Sequence, residues 1–290
     1  MRHRHYVNRQ QEFSHSLPGI RACIFDMDGL LINSEDVITK CTNELLEKYG
    51  RPVFTRSMRA VTMGVPDSTN SDVFHDWAKL PIPRNQFKRE LKDLMTLNFA
   101  DCEPLPGAEK LLSDLSHSVS SGAKVELALA SSTKSNTYKV KISKPRNQRM
   151  LDFFEPNRRI LGDDPRVQQG RGKPAPDIYL VALKALNSSI NPDQRPIMPN
   201  ECLVFEDSIA GVESGRRAGM RVIWVPHPDL ATEYQSLEKE ILAGRSGRFT
   251  LEDESHLGEI DDGWAESIPR LDHFDFGKYG IQLLRHELDR

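Results

Sequence analysis

A chain of 290 residues has room for one large domain or two modest ones, with enough length to bury a core. Its 39 Lys and Arg against 42 Asp and Glu give a formal net charge of -3, so no broad cationic surface is available and a nucleic-acid polymer is not an expected partner. The four cysteines, Cys23, Cys41, Cys102 and Cys202, form no C-x-x-C pair, and no apolar run approaches a bilayer span; a soluble chain in a reducing, cytoplasmic compartment, with no membrane partner, is expected.

Residues 1–18 are basic, His-rich and polar and lack the apolar segment of a secretory signal. They are expected to be a disordered lead-in, with a transit peptide as the alternative because no acid precedes Glu12. Residues 21–25 read as a short buried strand that stops abruptly at Asp26-Met27-Asp28-Gly29. Ser34 is placed to cap a helix with Glu35 and Asp36 in its first turn, with Val37, Ile38, Cys41, Leu45 and Tyr49 at helical spacing and Gly50 as its stop. Residues 53–101 continue in helical style, with Val73, Phe74, Trp77 and Leu80, then Phe87, Leu91, Leu94 and Met95, as the expected buried faces. A helical block inserted directly after a strand that ends in carboxylates behaves like a lid over that end. The expected division is a core of 19–34 and 103–243, a helical cap of 35–102 and a C-terminal extension of 244–290.

Residues 125–130, 159–161, 202–205 and 221–225 read as further buried strands. Helical patterns lie between them, such as 177–186 and a segment from 209 to 218 capped by Ser208 and ended by Gly219. Such alternation predicts an α/β fold with a parallel, doubly wound sheet, whose ligands gather beyond the carboxyl ends of the strands. Four strands end in polar residues of complementary chemistry: Asp26 and Asp28, Ser131-Ser132-Thr133-Lys134, Gly162-Asp163-Asp164 and Glu206-Asp207-Ser208.

Asp26 and Asp28 at a buried strand end need a positive partner or a proton, and a divalent cation is the simplest partner. With a phosphate completing the shell, Asp26 could attack phosphorus while Asp28 handles the leaving group's proton. Glu206 and Asp207 would complete the oxygen ligation of Mg2+ together with Asp26 and the main-chain carbonyl of Asp28; a helix start that favours acids is the plainer reading. Ser131, with Ser132 beside it, offers a hydroxyl and nearby amides to phosphoryl oxygens, or else simply caps a helix. Lys173, in Gly172-Lys173-Pro174-Ala175-Pro176-Asp177, is a cation whose direction the prolines would fix.

D-M-D-G, the serine after the second strand, K-P-A-P-D and the E-D pair followed by S-I-A-G-V-E-S-G-R-R-A-G-M resemble the four motifs of the haloacid dehalogenase-like superfamily. The resemblance spans about residues 21 to 230, and L-P-G-A-E-K-L, G-D-D-P and C-L-V-F-E-D are similar to its GS1-like branch, which includes pseudouridine-5'-phosphatase. It implies Asp26 as a nucleophile that forms an aspartyl-phosphate, Asp28 as the acid/base, Ser131 and Lys173 as phosphoryl binders, and Glu206 and Asp207 as holders of Mg2+. It also implies a helical cap behind the first strand.

The basic run 139–149 and the Gln169-Gly170-Arg171-Gly172 segment depart from close relatives near the expected mouth of the site. The aromatic residues near the end of the C-terminal extension suggest that it docks on the body or on a second copy. The expected function is a Mg2+-dependent phosphatase acting on a small phosphorylated metabolite, a nucleoside or sugar phosphate with pseudouridine 5'-phosphate among the candidates, as a monomer or weak homo-oligomer. A hexose-phosphate phosphomutase is the alternative, and a catalytically silent binding module the third reading.

Overall fold

The computed structural model describes residues 17–63, 67–191, 193–249 and 257–284. The strands are β1 (Ala22–Phe25), β2 (Ser118–Ser120), β3 (Ala123–Lys124), β4 (Glu126–Ala130), β5 (Arg159–Ile160), β6 (Cys202–Glu206), β7 (Arg221–Trp224), β8 (Ala265–Ser267) and β9 (Ile281–Leu283). The helices are α1 (Ser34–Lys48), α2 (Arg56–Thr62), α3 (Asp67–Ala78), α4 (Arg84–Asn98), α5 (Ala108–Ser116), α6 (Ser135–Lys141), α7 (Pro145–Leu151), α8 (Asp177–Asn187), α9 (Ile209–Arg217), α10 (Pro228–Glu233) and α11 (Glu238–Leu242).

One sheet runs in the order β5-β4-β1-β6-β7-β8 with every neighbouring pair parallel. β1, β6 and β7 are buried along their whole length, as strands covered on both faces must be, and this is why their sequences read as unbroken apolar runs. The α/β class and the parallel sheet are as expected, and the strands anticipated within residues 21–225 lie within one residue of their expected bounds.

Alternate residues of the strands feed two layers. Cys23, Phe25, Leu129 and Phe205 pack with Leu111, Leu112 and Leu115 of α5 and with Met150 and Leu151 of α7. Ala22, Ile24, Ala130 and Val204 pack on the other face with Tyr179, Ala182 and Leu186 of α8 and Val212 of α9. The register sets Phe25 level with Leu129 and with Phe205, so the next residues along, Asp26, Ala130 and Glu206, emerge together at the carboxyl edge.

Helices α1–α4 follow β1 directly. α1 belongs to two clusters: Val37 and Cys41 join the sheet's core, whereas Leu45 and Leu46 pack with Phe74, Ala78 and Phe87 of α3 and α4. Of the expected buried faces, Phe74 and Phe87 are buried, but Val73 is 46% exposed. Phe74 and Ala78 occupy the inward stripe at i and i+4, which leaves Val73 one position off it.

The C-terminal segment is part of the core rather than an appendage. β8 extends the sheet beside β7, and β9 pairs with β2 in a separate antiparallel sheet of order β3-β2-β9. Leu271, Phe274, Tyr279 and Ile281 are buried, with the Phe274 ring edge-on to Phe205 at 5.1 Å and stacked on Tyr279 at 5.3 Å. The expected lead-in lies outside the described residues except for Leu17 and Pro18, and Pro18 is tied in through its carbonyl, which accepts from Arg221. No helix among the described residues is long and apolar enough to cross a membrane, and all four cysteines are free and buried.

Replacing a buried phenylalanine by alanine costs about 3–5 kcal/mol through lost burial and a residual cavity. Phe274→Ala should therefore lower the unfolding free energy by an amount in that range, read in equilibrium urea unfolding as a lower midpoint with an unchanged slope. A merely draped tail would leave the midpoint where it was.

Candidate active site

Asp26 continues β1, its amide donating to the Phe205 carbonyl at 3.0 Å, and the residue is 5% exposed. Glu206 ends the neighbouring β6 and is fully buried; Asp207 follows it and is 7% exposed. One carboxylate oxygen from each of the three lies within 4.8 Å of those of the other two. Burial first, then the charges of Glu206 and Asp28, push the Asp26 carboxyl up to about 7 despite the Lys173 ammonium beside it. The Asp207 carboxyl is pushed well above its ordinary value by burial and then by the charges of Glu206, Asp26 and Glu35.

Lys173 reaches into this group from the loop before α8. Its Nζ donates to Asp26 Oδ1 at 2.5 Å and to the Ala130 carbonyl at 2.9 Å, and lies 2.6 Å from Glu206 Oε1. Burial alone would lower the Lys173 ammonium, but the Asp26 and Glu206 carboxylates hold it above the ordinary lysine value. The loop is pinned by Ser214 Oγ of α9, which donates to the Ala175 carbonyl at 2.7 Å. Glu206 is further held by the Tyr179 hydroxyl, which donates to Oε1, and by Ser208 Oγ, which donates to Oε2 at 3.2 Å. A side chain at Gly211 would put its Cβ within 1.9 Å of the Glu206 carboxyl carbon, so only glycine lets α9 approach this closely.

Asp28 faces a different set of groups. Its Oδ1 accepts from Lys141 Nζ at 2.5 Å and from Ser34 Oγ at 2.6 Å, and its Oδ2 from Thr133 Oγ1 at 2.5 Å. Ser131 Oγ lies 3.4 Å from the same Oδ2. Burial would raise the Asp28 carboxyl, but the Lys141 charge and the donated hydrogen bonds outweigh it and hold it below the ordinary aspartate value. Glu35, also in the cavity, is pushed up to about 7 by burial and then by the Asp28 charge.

Asp26, Asp28, Ser132, Lys173 and Asp207 all line one cavity of about 1320 Å³ between the sheet's carboxyl edge and α1–α4. Ser131 is buried beneath it. The structure thus brings the sequence-selected residues together, with one division among them: the Asp28 carboxylate lies outside the acidic group of Asp26, Glu206 and Asp207.

Two capping expectations change. The cap of α1 is Asn33, without a side-chain bond, because Ser34 Oγ is directed to Asp28 instead. Ser131 caps no helix, since α6 starts at Ser135 and the Ser131 hydroxyl instead accepts from the Thr133 amide at 3.2 Å. Ser208 does cap α9, accepting from the Gly211 amide. The sequence assigns no role to Lys141 or Tyr179 and marks Thr133 only as part of a polar strand end. Nothing local marks Lys141 among the other cations of 139–149, although its spacing of three from Tyr138 puts both on one helix face.

Residues 23–225 match the family of haloacid dehalogenase-like hydrolases. A Saccharomyces cerevisiae protein named "probable pseudouridine-5'-phosphatase" is 38% identical over 262 residues, which are 90% of this chain and 98% of that protein. The (DL)-glycerol-3-phosphatase 1 of Arabidopsis thaliana, described as mitochondrial, is 30% identical over 223 residues, covering 76% of this chain and 68% of that protein. A crystal structure of a HAD hydrolase of family IA, variant 3, from Entamoeba histolytica shares the fold with a TM-score of 0.60 at 20% identity, over 90% of this chain and 97% of that one. With its motif residues gathered at one edge of the sheet and most of its length matched, the chain belongs to the haloacid dehalogenase-like hydrolases.

Proposed function

We propose that this protein is a Mg2+-dependent phosphatase of small phosphorylated metabolites, working through a phosphoryl group carried on Asp26, with residues 35–102 as its cap. The observation that carries the reading is the Lys173 ammonium in contact with both Asp26 and Glu206, inside three buried carboxylates at adjacent strand ends. Three carboxylates against one ammonium leave excess negative charge in a buried place, and burial first, then that charge, raises the Asp26 and Asp207 carboxyls. A hard divalent cation relieves it, and an all-oxygen donor set suits Mg2+. Asp26, Glu206, Asp207 and the Asp28 main-chain carbonyl would hold the ion, which supplies charge stabilisation to the phosphoryl oxygens.

Asp26 attacks phosphorus, forming the Asp26 O–P bond as the bond from phosphorus to the ester oxygen breaks. Asp28 is ionised in the free site; the phosphoryl dianion beside it in the substrate complex favours its taking a proton from water, which it gives to the departing oxygen, and it later takes one from the water that cleaves the Asp26 phosphate. Lys173 and the hydroxyls of Ser131 and Ser132 hold phosphoryl oxygens, and Lys173 offsets the repulsion between carboxylate and phosphate, which reaches several kcal/mol in a poorly solvated site. The names of the relatives favour nucleoside monophosphates and polyol phosphates, with pseudouridine 5'-phosphate first. The four unpaired, buried cysteines support a reducing, cytoplasmic setting.

Asp26→Asn should lower phosphate release from p-nitrophenyl phosphate with Mg2+ by about 10³-fold or more. Full turnover in that variant would sink the reading. In a panel of phosphomonoesters, isomer appearing in place of inorganic phosphate would support the phosphomutase alternative.

Mg2+ at a hundred times its Kd should stabilise the wild type by about 2.7 kcal/mol. Asp207→Asn, relieved of one buried carboxylate, should melt higher than the wild type without metal and respond little to Mg2+. Differential scanning calorimetry with and without chelator checks both.

Because the Asp28 carboxyl is held below its unfolded value of about 3.9, the stability it contributes is complete above that pH and is lost as the pH falls through the folded value. Asp28→Asn should therefore be the less stable protein near pH 7, with the gap narrowing below about pH 4. Denaturant midpoints across that range measure it.

A further inference from the structure

Among the cations of the run 139–149, Lys141 alone is buried, at 4% exposure. The others of the run face outward; Lys144 pairs with Glu103 at 2.6 Å and Arg146 with Glu109 at 2.5 Å. A buried lysine is rare without a fixed partner, because a desolvated ammonium costs several kcal/mol. Here the partner is Asp28, at the centre of the site rather than at its margin.

The surroundings of Lys141 restrict it to that contact. Its Nζ also donates to Thr133 Oγ1 at 3.0 Å and stands 4.4 Å from the centre of the Phe99 ring. Its carbonyl accepts from Asn147 Nδ2 at 2.8 Å, and the same amide donates to the Cys102 carbonyl at 2.9 Å. The turn between α6 and α7 is thereby fixed to the end of the 35–102 block. With Ser34 and Thr133 completing the set, both oxygens of Asp28 are engaged and its carboxylate has one available orientation. Among the described residues Lys141 makes no hydrogen bond or ion pair with Asp26, Glu206 or Asp207, and its ammonium bonds Asp28 and Thr133 instead.

We propose that Lys141 is a positioning residue that aims Asp28 at the oxygen leaving phosphorus and, later, at the attacking water; this rests on the phosphatase reading above. Lys141 forms and breaks no bond in either step. The proton moves from Asp28 to the leaving oxygen and then from water to Asp28, while the ammonium keeps the carboxyl group in line. A misplacement of about 1 Å at such a group costs on the order of 10²-fold in rate.

The test is a double-mutant cycle on kcat and KM with p-nitrophenyl phosphate and glycerol 3-phosphate in Mg2+ buffer, using Lys141→Met, Asp28→Asn and the double variant, with Asp26→Asn alongside. Lys141→Met should lower kcat about 10- to 100-fold with KM within about threefold. The loss should be smaller for the aryl ester, whose leaving oxygen needs less help from a proton, and should vanish in the Asp28→Asn background. A similar loss in both backgrounds, a rise in KM with unchanged kcat, or no loss at all would overturn the assignment. Thr133→Val, which removes one donor to Asp28 and leaves the ammonium, should show the same pattern more weakly and serves if Lys141→Met does not fold. Should Asp26→Asn keep its turnover, the phosphatase reading falls; with Asp26→Asn inactive, a null result at Lys141 counts against this inference alone.

Discussion

The placement of one ammonium among buried carboxylates governs the rest of this structure. Lys173 contacts Asp26 and Glu206 directly, and a carboxylate buried without such a partner costs several kcal/mol. A single positive charge cannot balance three acids, so the group is built short of cations by at least one. The three carboxyl groups against one ammonium are the basis of the metal site proposed above. Asp28, two residues from Asp26, is served by a separate lysine and two hydroxyls: burial and the neighbouring acids raise the Asp26 carboxyl past its own lysine, whereas at Asp28 the Lys141 charge and the donated hydrogen bonds outweigh burial.

Such a cluster is expensive in stability and has to be held by something stronger. The aromatic layer behind it is the best candidate: Phe25 and Phe205, the residues immediately before Asp26 and Glu206, stack at 4.5 Å, with Phe154 and Phe274 packed around them. Moving either carboxylate by an ångström would require repacking large side chains at close-packed density. Phe274 comes from the C-terminal segment, so a part of the chain remote in sequence supports the geometry of the site without approaching it. The same segment adds β8 to the open edge of β7, where unpaired backbone groups would otherwise remain.

How much of this was legible in the sequence depends on the kind of signal each element carries. Strands β1, β4, β6 and β7 are buried on both faces, so burial itself wrote them as apolar runs bounded by polar residues. Asp26, Lys173 and Glu206 could be selected because each stands where a strand or a proline-stiffened loop meets the carboxyl edge. Strand β8 escaped notice because Ala265–Ser267 lies at the sheet's edge, half-buried and short, with no alternation to read. Lys141 escaped for a different reason: its inward turn is decided by the partner that awaits it, not by its neighbours in sequence. Ser34 looked like a helix cap because capping and bonding a nearby carboxylate call for the same hydroxyl, and only the fold chooses between them.

The helices above the site are fastened to the core in two unlike ways. At one root, α1 passes continuously from the sheet's core at Val37 and Cys41 to the upper cluster at Leu45 and Leu46, an apolar connection that loses several kcal/mol if pulled apart. On the opposite side the link is largely polar: Arg59 of α2 pairs with Asp36 at 2.6 Å and with Asp229 of α10 at 3.2 Å, Arg56 pairs with Asp229 at 3.2 Å, and Arg248 donates to the Val61 carbonyl at 3.1 Å. Ion pairs that solvent can reach contribute about 0–1 kcal/mol each, and salt weakens them. Ala60 and Met63 add apolar contact there. The polar side is thus the attachment that salt weakens, and its Arg59 lines the same cavity as Thr133, Lys134, Asp26 and Lys173.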